Sequence, residues 1–278
     1  MNADLHCHSS LSDGCLAPAA LVRRAHGSGV DMLALTDHDE LGGVAAAARE
    51  AAALGVKFVP GVEISVSLID DTTIHIVGLG VDPAHPALAQ GLARVRGGRE
   101  ARAARMAAAL EKIGIGGTLE GARRFARNPA MIGRAHFARH LVASGVMPDV
   151  STVFEHYLAR GKPGFVSHEW ASLADAVGWI RGAGGVAVVA HPSRYHRLSN
   201  AGLDRLFDDF AALGGEAVEV VAGAHTLEDM RRFATVARRR GLLASCGSDF
   251  HCEGESPVDV GRCHPLPPDL VPVWTRLG

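Results

Sequence analysis

The sequence predicts an α/β fold, and three observations carry that reading. Short apolar runs recur along the whole chain, amphipathic stretches of helical length separate many of them, and Gly and Pro fall where helices should stop or start. In order, the predicted strands are Ala3–His6, Met32–Leu35, Phe58–Val62, Thr73–Leu79, Val186–Ala190, Ala217–Val221 and Leu242–Ser245. Predicted helices at Ala19–His26, Val44–Leu54, Leu173–Ala183 and Leu227–Arg239 lie between them. Pro18 suits a first helical turn, and the glycines at 27, 29, 55, 182 and 241 suit helix ends. Repeated strand–helix units imply a largely parallel sheet or barrel with right-handed crossovers.

The middle of the chain breaks this rhythm. From about Pro86 to Phe165 the pattern holds no convincing strand. The Ala- and Arg-rich stretch Arg94–Ile113 reads as one long helix, followed by Leu119–Arg127, Gly133–Ser144 and Ser151–Ala159. We therefore divide the chain into a core of 1–85 and 166–278 and a helical insertion over 86–165. Such helices either pack outside the core or cap a ligand pocket, and we take the insertion as a cap.

Composition narrows the function. The 278 residues are 47% hydrophobic and 21% charged, ordinary for a soluble globular protein. A net charge of −2 argues against binding duplex DNA, which needs a strongly basic face. Polar Asn2 and Asp4 open the chain without a signal-peptide pattern, and no apolar run is long enough for a membrane span. Five cysteines, an odd number without CxxC spacing, point to reduced thiols and a cytoplasmic protein. Fifteen histidines are the unusual count.

Those histidines concentrate with carboxylates at predicted strand ends. His6 and His8 share a strand face while Cys7 points away. In a chain this rich in histidine, one such HxH would arise about once by chance. Its company is what matters. Asp13 follows in the next loop; Leu33-Ala34-Leu35 runs into Thr36-Asp37-His38-Asp39; Glu63 interrupts an apolar strand, as does His75. Val186–Ala190 leads into His191, and Leu242–Ser245 into Ser248-Asp249-Phe250-His251. In parallel α/β architectures the strand carboxyl ends surround one crevice, so these groups can meet. Asp37 and Asp39 also suit helix caps. Burying His6, His8, Asp13, His38, Glu63, His75, His191, Asp249 and His251 without a shared ion would be costly, and nine donors exceed the needs of one tetrahedral ion. All are nitrogen or oxygen, which suits manganese, zinc or iron over a thiolate-selected metal. By parity, Cys7 and Cys252 are small packing residues.

Taken together, Asp4–Ser9 with Asp13, Thr36–Asp39, Gly61–Ser65, His75, Ala190–Pro192 and Gly247–His251 resemble the polymerase and histidinol phosphatase (PHP) family of metal-dependent phosphoesterases. The motifs span positions 4 to 251 in the family's order. The resemblance implies a distorted (β/α)7-type barrel with two to three divalent metal ions, manganese first and zinc or iron as alternatives. By the same resemblance, one ion takes His6, His8, Glu63 and Asp249; a second shares Glu63 and adds His75 and His191; the third takes Asp13, His38 and His251. Paired ions acidify a shared water and clamp phosphoryl oxygens, so hydrolysis needs no covalent intermediate. Asp13, His38, Asp249 and His251 are then the catalytic group, with Asp13 or His251 aiding protonation of the leaving oxygen.

Within that family the chain is most similar to stand-alone bacterial enzymes that remove the 3′-phosphate of nucleoside 3′,5′-bisphosphates, and to relatives that trim short RNA from its 5′ end. The implied partner is a small phosphorylated nucleotide or short single-stranded RNA, with no duplex DNA and no membrane. Cations beyond the metals would hold phosphate; the candidates are Arg134 with His136, and Arg194 with His196. His136 and His140 have zinc-protease spacing, but Phe137 stands where that motif needs Glu. The Arg-rich run Arg94–Arg105 reads as a solvated helix face. Competing readings are a histidinol-phosphate phosphatase and a non-catalytic PHP module.

Overall fold

In a computed structural model, which describes residues 1–68 and 72–277, the seven predicted strands form one mixed sheet in sequence order. They are β1 (Ala3–Asp4), β2 (Met32–Leu35), β3 (Lys57–Ser67), β4 (Thr73–Leu79), β5 (Val186–Val189), β6 (Ala217–Ala222) and β7 (Leu243–Gly247). Strands β1, β2 and β3 pair in parallel, as do β5, β6 and β7. The sheet curls until its edges meet: the Leu5 amide donates to the Cys246 carbonyl at 2.9 Å, and Cys7 bridges Phe250 in parallel register. This is the expected α/β barrel, nearly closed.

One strand departs from the expected parallel order. β4 is antiparallel to both β3 and β5, with Ser65 opposite His75 and Glu63 opposite Val77. Its amino end therefore lies among the carboxyl ends of its neighbours. His75 reaches the crevice because β4 starts there, not because it ends there. β3 also runs further than predicted, so Glu63 sits well inside it.

The strands bury almost every side chain, as expected where helices cover a sheet. Ile64, Ile74, Ile76, Val188 and Val218 are fully buried in the main core, and each contributes about 1.5–3 kcal/mol through burial. Helices α1 (Pro18–Gly27) and α2 (Val44–Leu54) pack a second cluster around Leu21, Leu33 and Ala47 on the flank of β2. Gly55 closes α2 in the left-handed conformation, with φ of 72°.

Between β4 and β5 the described residues form helices and turns. The predicted helix Arg94–Ile113 is in fact two, α3 (Pro86–Arg96) and α4 (Arg99–Glu111), separated at Gly97-Gly98. Two glycines weaken helix continuity, and a Cβ on Gly98 would stand 2.3 Å from the His168 ring. The sides of the break pack differently. Leu88, Leu92 and Val95 of α3 join the main core, whereas Ala103, Met106 and Leu110 of α4 join a separate cluster. That cluster includes Phe137 and Leu141 of α6 (Arg134–Ala143), which follows the short α5 (Thr118–Arg123). A one-turn helix, α7 (Val150–Val153), precedes the return to the barrel. There α8 (Leu173–Gly182), α9 (Asn200–Ala212) and α10 (Leu227–Arg240) alternate with β5, β6 and β7. Neither Asp37 nor Asp39 caps a helix; the residue at the N-cap of α2 is Gly43, without a side-chain cap.

Barrel closure depends on a close approach at Gly247, where an added Cβ would lie 2.2 Å from the His6 Cβ. Gly247→Ala should therefore lower stability by about 1–3 kcal/mol in urea unfolding. Wild-type stability in that variant would contradict the close contact between the first and last strands.

Candidate metal centre

Six of the seven strands deliver a donor to the crevice. His6 and His8 follow β1, His38 follows β2 and is bridged in register to Glu63, and Glu63 and His75 lie on the antiparallel pair. His191 follows β5; Asp249 and His251 follow β7. Asp37 does not face the cluster. Its carboxylate accepts from the Ser9 amide at 2.7 Å, the Ser9 hydroxyl at 2.6 Å and the Ser12 hydroxyl at 2.6 Å. It thereby fixes the loop that carries Asp13.

Glu63 is at the centre. Fully buried, its carboxylate lies 2.7 Å from His38, 2.9 Å from His75, 2.9 Å from His191, 3.3 Å from His6 and 3.4 Å from His8. Asp249 lies 3.2 Å from His8 and 3.5 Å from His6, while Asp13 lies 3.4 Å from His251 and 3.8 Å from His38. The expected nine donors thus converge. Four overlapping sets have their ligand atoms within 4.8 Å of one another: His8, Asp13, His38 and His251; His6, Glu63 and His191; His6, His8 and Asp249; His38, Glu63 and His75. His8 joins the Asp13 set as well as the His6 set, so the three expected ligand groups are less separate than the resemblance implies.

The donor chemistry fits cations. His6 donates from Nδ1 to Glu219 at 2.6 Å, and His251 donates from Nδ1 to the Asp249 carbonyl at 2.8 Å. With Nδ1 so engaged, Nε2 is the nitrogen that each ring turns toward carboxylate oxygens. Buried atoms Glu63 Oε2 and Asp13 Oδ1 lack a hydrogen bond among the described residues. Lone pairs facing one another in a dry site repel unless a cation stands between them. Burial, with His251 and His38 nearby, pushes His8 down to about 3, which keeps its ring neutral. Burial opposes the ionisation of Asp249, yet Arg194, His6 and His251 outweigh it and hold the carboxyl well below its usual range.

Backbone strain is concentrated here. Among the described residues other than glycine, Asp39, His191 and Asp249 have positive φ, at 47°, 26° and 53°. Such residues cost of order 1–3 kcal/mol each and persist where neighbours over-determine them. The Asp39 amide donates to the Glu63 carbonyl at 2.8 Å, His191 to Glu219 at 2.5 Å, and Asp249 to the His6 carbonyl at 2.8 Å.

The PHP domain model matches residues 4–116. The chain is 55% identical over 276 residues to a 3′,5′-nucleoside bisphosphate phosphatase of Chromobacterium violaceum, covering 99% of this chain and 96% of that one. The chain belongs to the PHP family. It is also 43% identical over 275 residues to the 5′-3′ exoribonuclease Rnm of Escherichia coli, covering 98% of this chain and 92% of the relative. A solved amidohydrolase structure from Chromobacterium violaceum, with bound sulfate and no metal, superposes with a TM-score of 0.96 at 55% identity, covering 100% and 96% of the two chains.

For this PHP protein the four substrate-binding candidates fall in different places. Arg134 and Arg194 line a cavity of about 310 Å³ beside Asp13, His38, His75, Asp249 and His251. The Arg194 Nη1 is 2.7 Å from Asp249. His136 and His196 are not among the described lining residues. His136 is buried and accepts the Gly133 amide at 3.0 Å, a helix-capping role, and burial pushes it down to about 4. His196 is exposed.

Two expectations need correction. The Arg-rich run is not wholly a solvated face: Arg99 and Arg102 are buried on the cavity wall. The five cysteines are not all reduced. Cys15 and Cys252 form a disulfide across 237 residues, and the Cys15 amide donates to the His251 carbonyl at 2.8 Å. Cys252 is therefore a cross-link between the loops of Asp13 and His251 and not a packing residue. Cys7 is the small buried group expected.

Glu219 is the residue that sequence reasoning missed. Its Oε1 accepts from the His6 ring and its Oε2 from the His191 amide, so one carboxylate orients donors from two strands. Glu219→Gln should weaken divalent-metal affinity about 10–100-fold, read by chelator competition. Unchanged affinity would remove Glu219 from the centre. Reducing the Cys15–Cys252 bond should lower the melting midpoint by roughly 5–10 °C, and no shift on reduction would refute a stabilising cross-link.

Proposed function

We propose that this PHP protein is a metal-dependent phosphoesterase that hydrolyses the 3′-phosphate of nucleoside 3′,5′-bisphosphates to a 5′-nucleotide and phosphate, with short RNA 5′ ends as a second substrate. The observation that carries it is the convergence of nine His, Asp and Glu donors beside an arginine-lined cavity, with Asp13, His38, His75, Asp249 and His251 on its wall. His6, His8, Glu63 and Asp249, then His75 and His191, then Asp13, His38 and His251 are the proposed ligands of two to three divalent ions, manganese first. Bound ions supply Lewis-acid activation of water and neutralise phosphoryl charge.

The chain's own residues do the rest. Arg194, beside Asp249 at the cavity wall, holds phosphoryl oxygens through its guanidinium fork. His251 keeps its Nδ1 proton on the Asp249 carbonyl, which fixes the ring so that Nε2 faces Asp13 at 3.4 Å. Asp13 and His251 line the cavity, where either is placed to orient a water that passes a proton to the leaving oxygen. The segment 86–165 serves as a cap that supplies Arg99, Arg102, Arg134 and Arg139 to the wall. Among the described residues no helix is long and apolar enough to cross a membrane, and we assign the protein to the cytoplasm, where nucleotide substrates occur.

Phosphate release from adenosine 3′,5′-bisphosphate, AMP and histidinol phosphate tests the reading. Release from the bisphosphate should exceed the other two, and preference for histidinol phosphate would replace it. Asp249→Asn should cut turnover by about 1,000-fold or more, because it weakens the carboxylate of the set formed with His6 and His8, while circular dichroism stays native. Near-normal turnover would sink the ligand assignment.

A further inference from the structure

The two sides of the donor cluster are held by different means. Glu63, His6 and His8 lie in or just beyond strands with fully buried side chains, so packing fixes them. Asp13 and His251 sit on loops, with side chains 19% and 20% exposed. Few buried contacts leave such loops at the low end of local stability. The donor set of His8, Asp13, His38 and His251 nevertheless needs both loops in place at once.

The Cys15–Cys252 bond supplies what packing does not. Cys15 is two residues from Asp13 and Cys252 is next to His251, so the bond ties the two loops together directly beside that set. Around it, the Cys15 amide donates to the His251 carbonyl at 2.8 Å, and the Ser256 hydroxyl accepts the His251 amide at 2.8 Å. Glu255, Ser256 and Pro257 continue from Cys252 along the cavity wall, where Glu255 pairs with Arg139 at 2.8 Å. Both bonded cysteines are partly exposed, so a small thiol can reach the sulfurs. Cys7 and Cys246, by contrast, are buried thiols that each donate to a backbone carbonyl. In the reducing compartment assigned above, lasting structural disulfides are rare, and those that form are usually redox-sensing. A solvent-reachable bond between two ligand-bearing loops belongs to that kind.

We propose that Cys15–Cys252 is a thiol–disulfide switch on the metal centre. Oxidised, it holds Asp13 and His251 in place for one ion; reduced, it weakens that ion's site while Glu63, His6 and His8 keep theirs. This rests on the ligand assignment made under the proposed function. The reductant is a low-molecular-weight thiol of the glutathione class. Two such thiols supply two electrons and two protons: the S–S bond breaks through a mixed disulfide, two cysteine thiols form, and the reductant leaves as its own disulfide. Glutathione disulfide, as oxidant, reverses each step.

Manganese binding by equilibrium dialysis, before and after reduction with dithiothreitol and its removal, tests the switch without turnover. Manganese prefers oxygen and nitrogen donors, so the freed thiols do not replace a lost site. Alkylation should count three thiols before reduction and five after it. One manganese site should weaken about 10–100-fold on reduction, the range for groups that orient metal ligands, and recover on reoxidation with glutathione disulfide. Far-UV circular dichroism should stay native through the cycle; its loss on reduction would mark the bond as merely structural. Cys15→Ser combined with Cys252→Ser should bind manganese like the reduced protein and ignore added reductant. Equal affinity in both redox states, equal weakening of every ion, or a bond that survives excess thiol in the folded protein would each overturn the switch alone. Absence of manganese binding in either state would remove the donor assignment itself, and the switch with it. Should the double serine variant fail to fold, the reduction and reoxidation cycle of wild type decides.

Discussion

A carboxylate in the middle of an apolar strand is the constraint on which the rest of this structure depends. Glu63 is fully buried in β3, flanked by Val62 and Ile64, which are also fully buried. An isolated charge there would be prohibitive, and burial alone would keep the acid protonated. Instead His75, His38 and His6 hold it well below the usual carboxylate range. Those partners come from three separate places in the sequence. The barrel can close well only in a register that brings all of them to Glu63, so the polar cluster also specifies the fold.

The reversal of β4 follows from the same demand. A parallel β4 would put His75 at the far end of the sheet from the other donors. Running antiparallel, β4 begins beside Ser65 and His75 enters the crevice. Tyr195 then secures that end, accepting the His75 amide at 2.9 Å and donating to the Ala190 carbonyl at 2.7 Å. Strain at Asp39, His191 and Asp249 has a similar origin. Each turns the chain sharply just past a strand end, where a regular backbone would carry the donor away from the centre.

Much of this is legible in the sequence, and the exceptions have physical reasons. Apolar runs mark strands because both faces of a covered sheet are buried, and a His or Asp ending such a run is conspicuous. Strand direction is not encoded in an apolar run. The signal was the connection: β3 extends to Ser67 and β4 begins at Thr73, too short a link for a parallel crossover. Ending β3 at Val62 hid that. Glu219 carried the same mark as Glu63, a lone acid in a buried strand, and could have been found by the same reasoning. Arg99 and Arg102 fall on the helical stripe with Ala103, Met106 and Leu110, so their burial was readable from period even though arginine suggested solvent. The Cys15–Cys252 pair left no local trace, because a separation of 237 residues has no spacing pattern.

Asp39 joins the two halves of the site. Its amide holds the Glu63 carbonyl, its carboxylate holds the Ser65 amide at 2.8 Å, and the same carboxylate receives Arg99. Its own carbonyl accepts from Arg96 at 2.6 Å, so both helices on either side of the Gly97-Gly98 break are tied to one residue of the barrel. The arginine wall is therefore not a loosely attached lid. A chain of short hydrogen bonds, Arg99 to Asp39 to Glu63, fixes its position relative to the donor cluster. Such a link matters at a reactive centre, because an error of about 1 Å in positioning can cost a hundredfold in rate. The left-handed backbone at Asp39 is what allows one residue to face both walls at once.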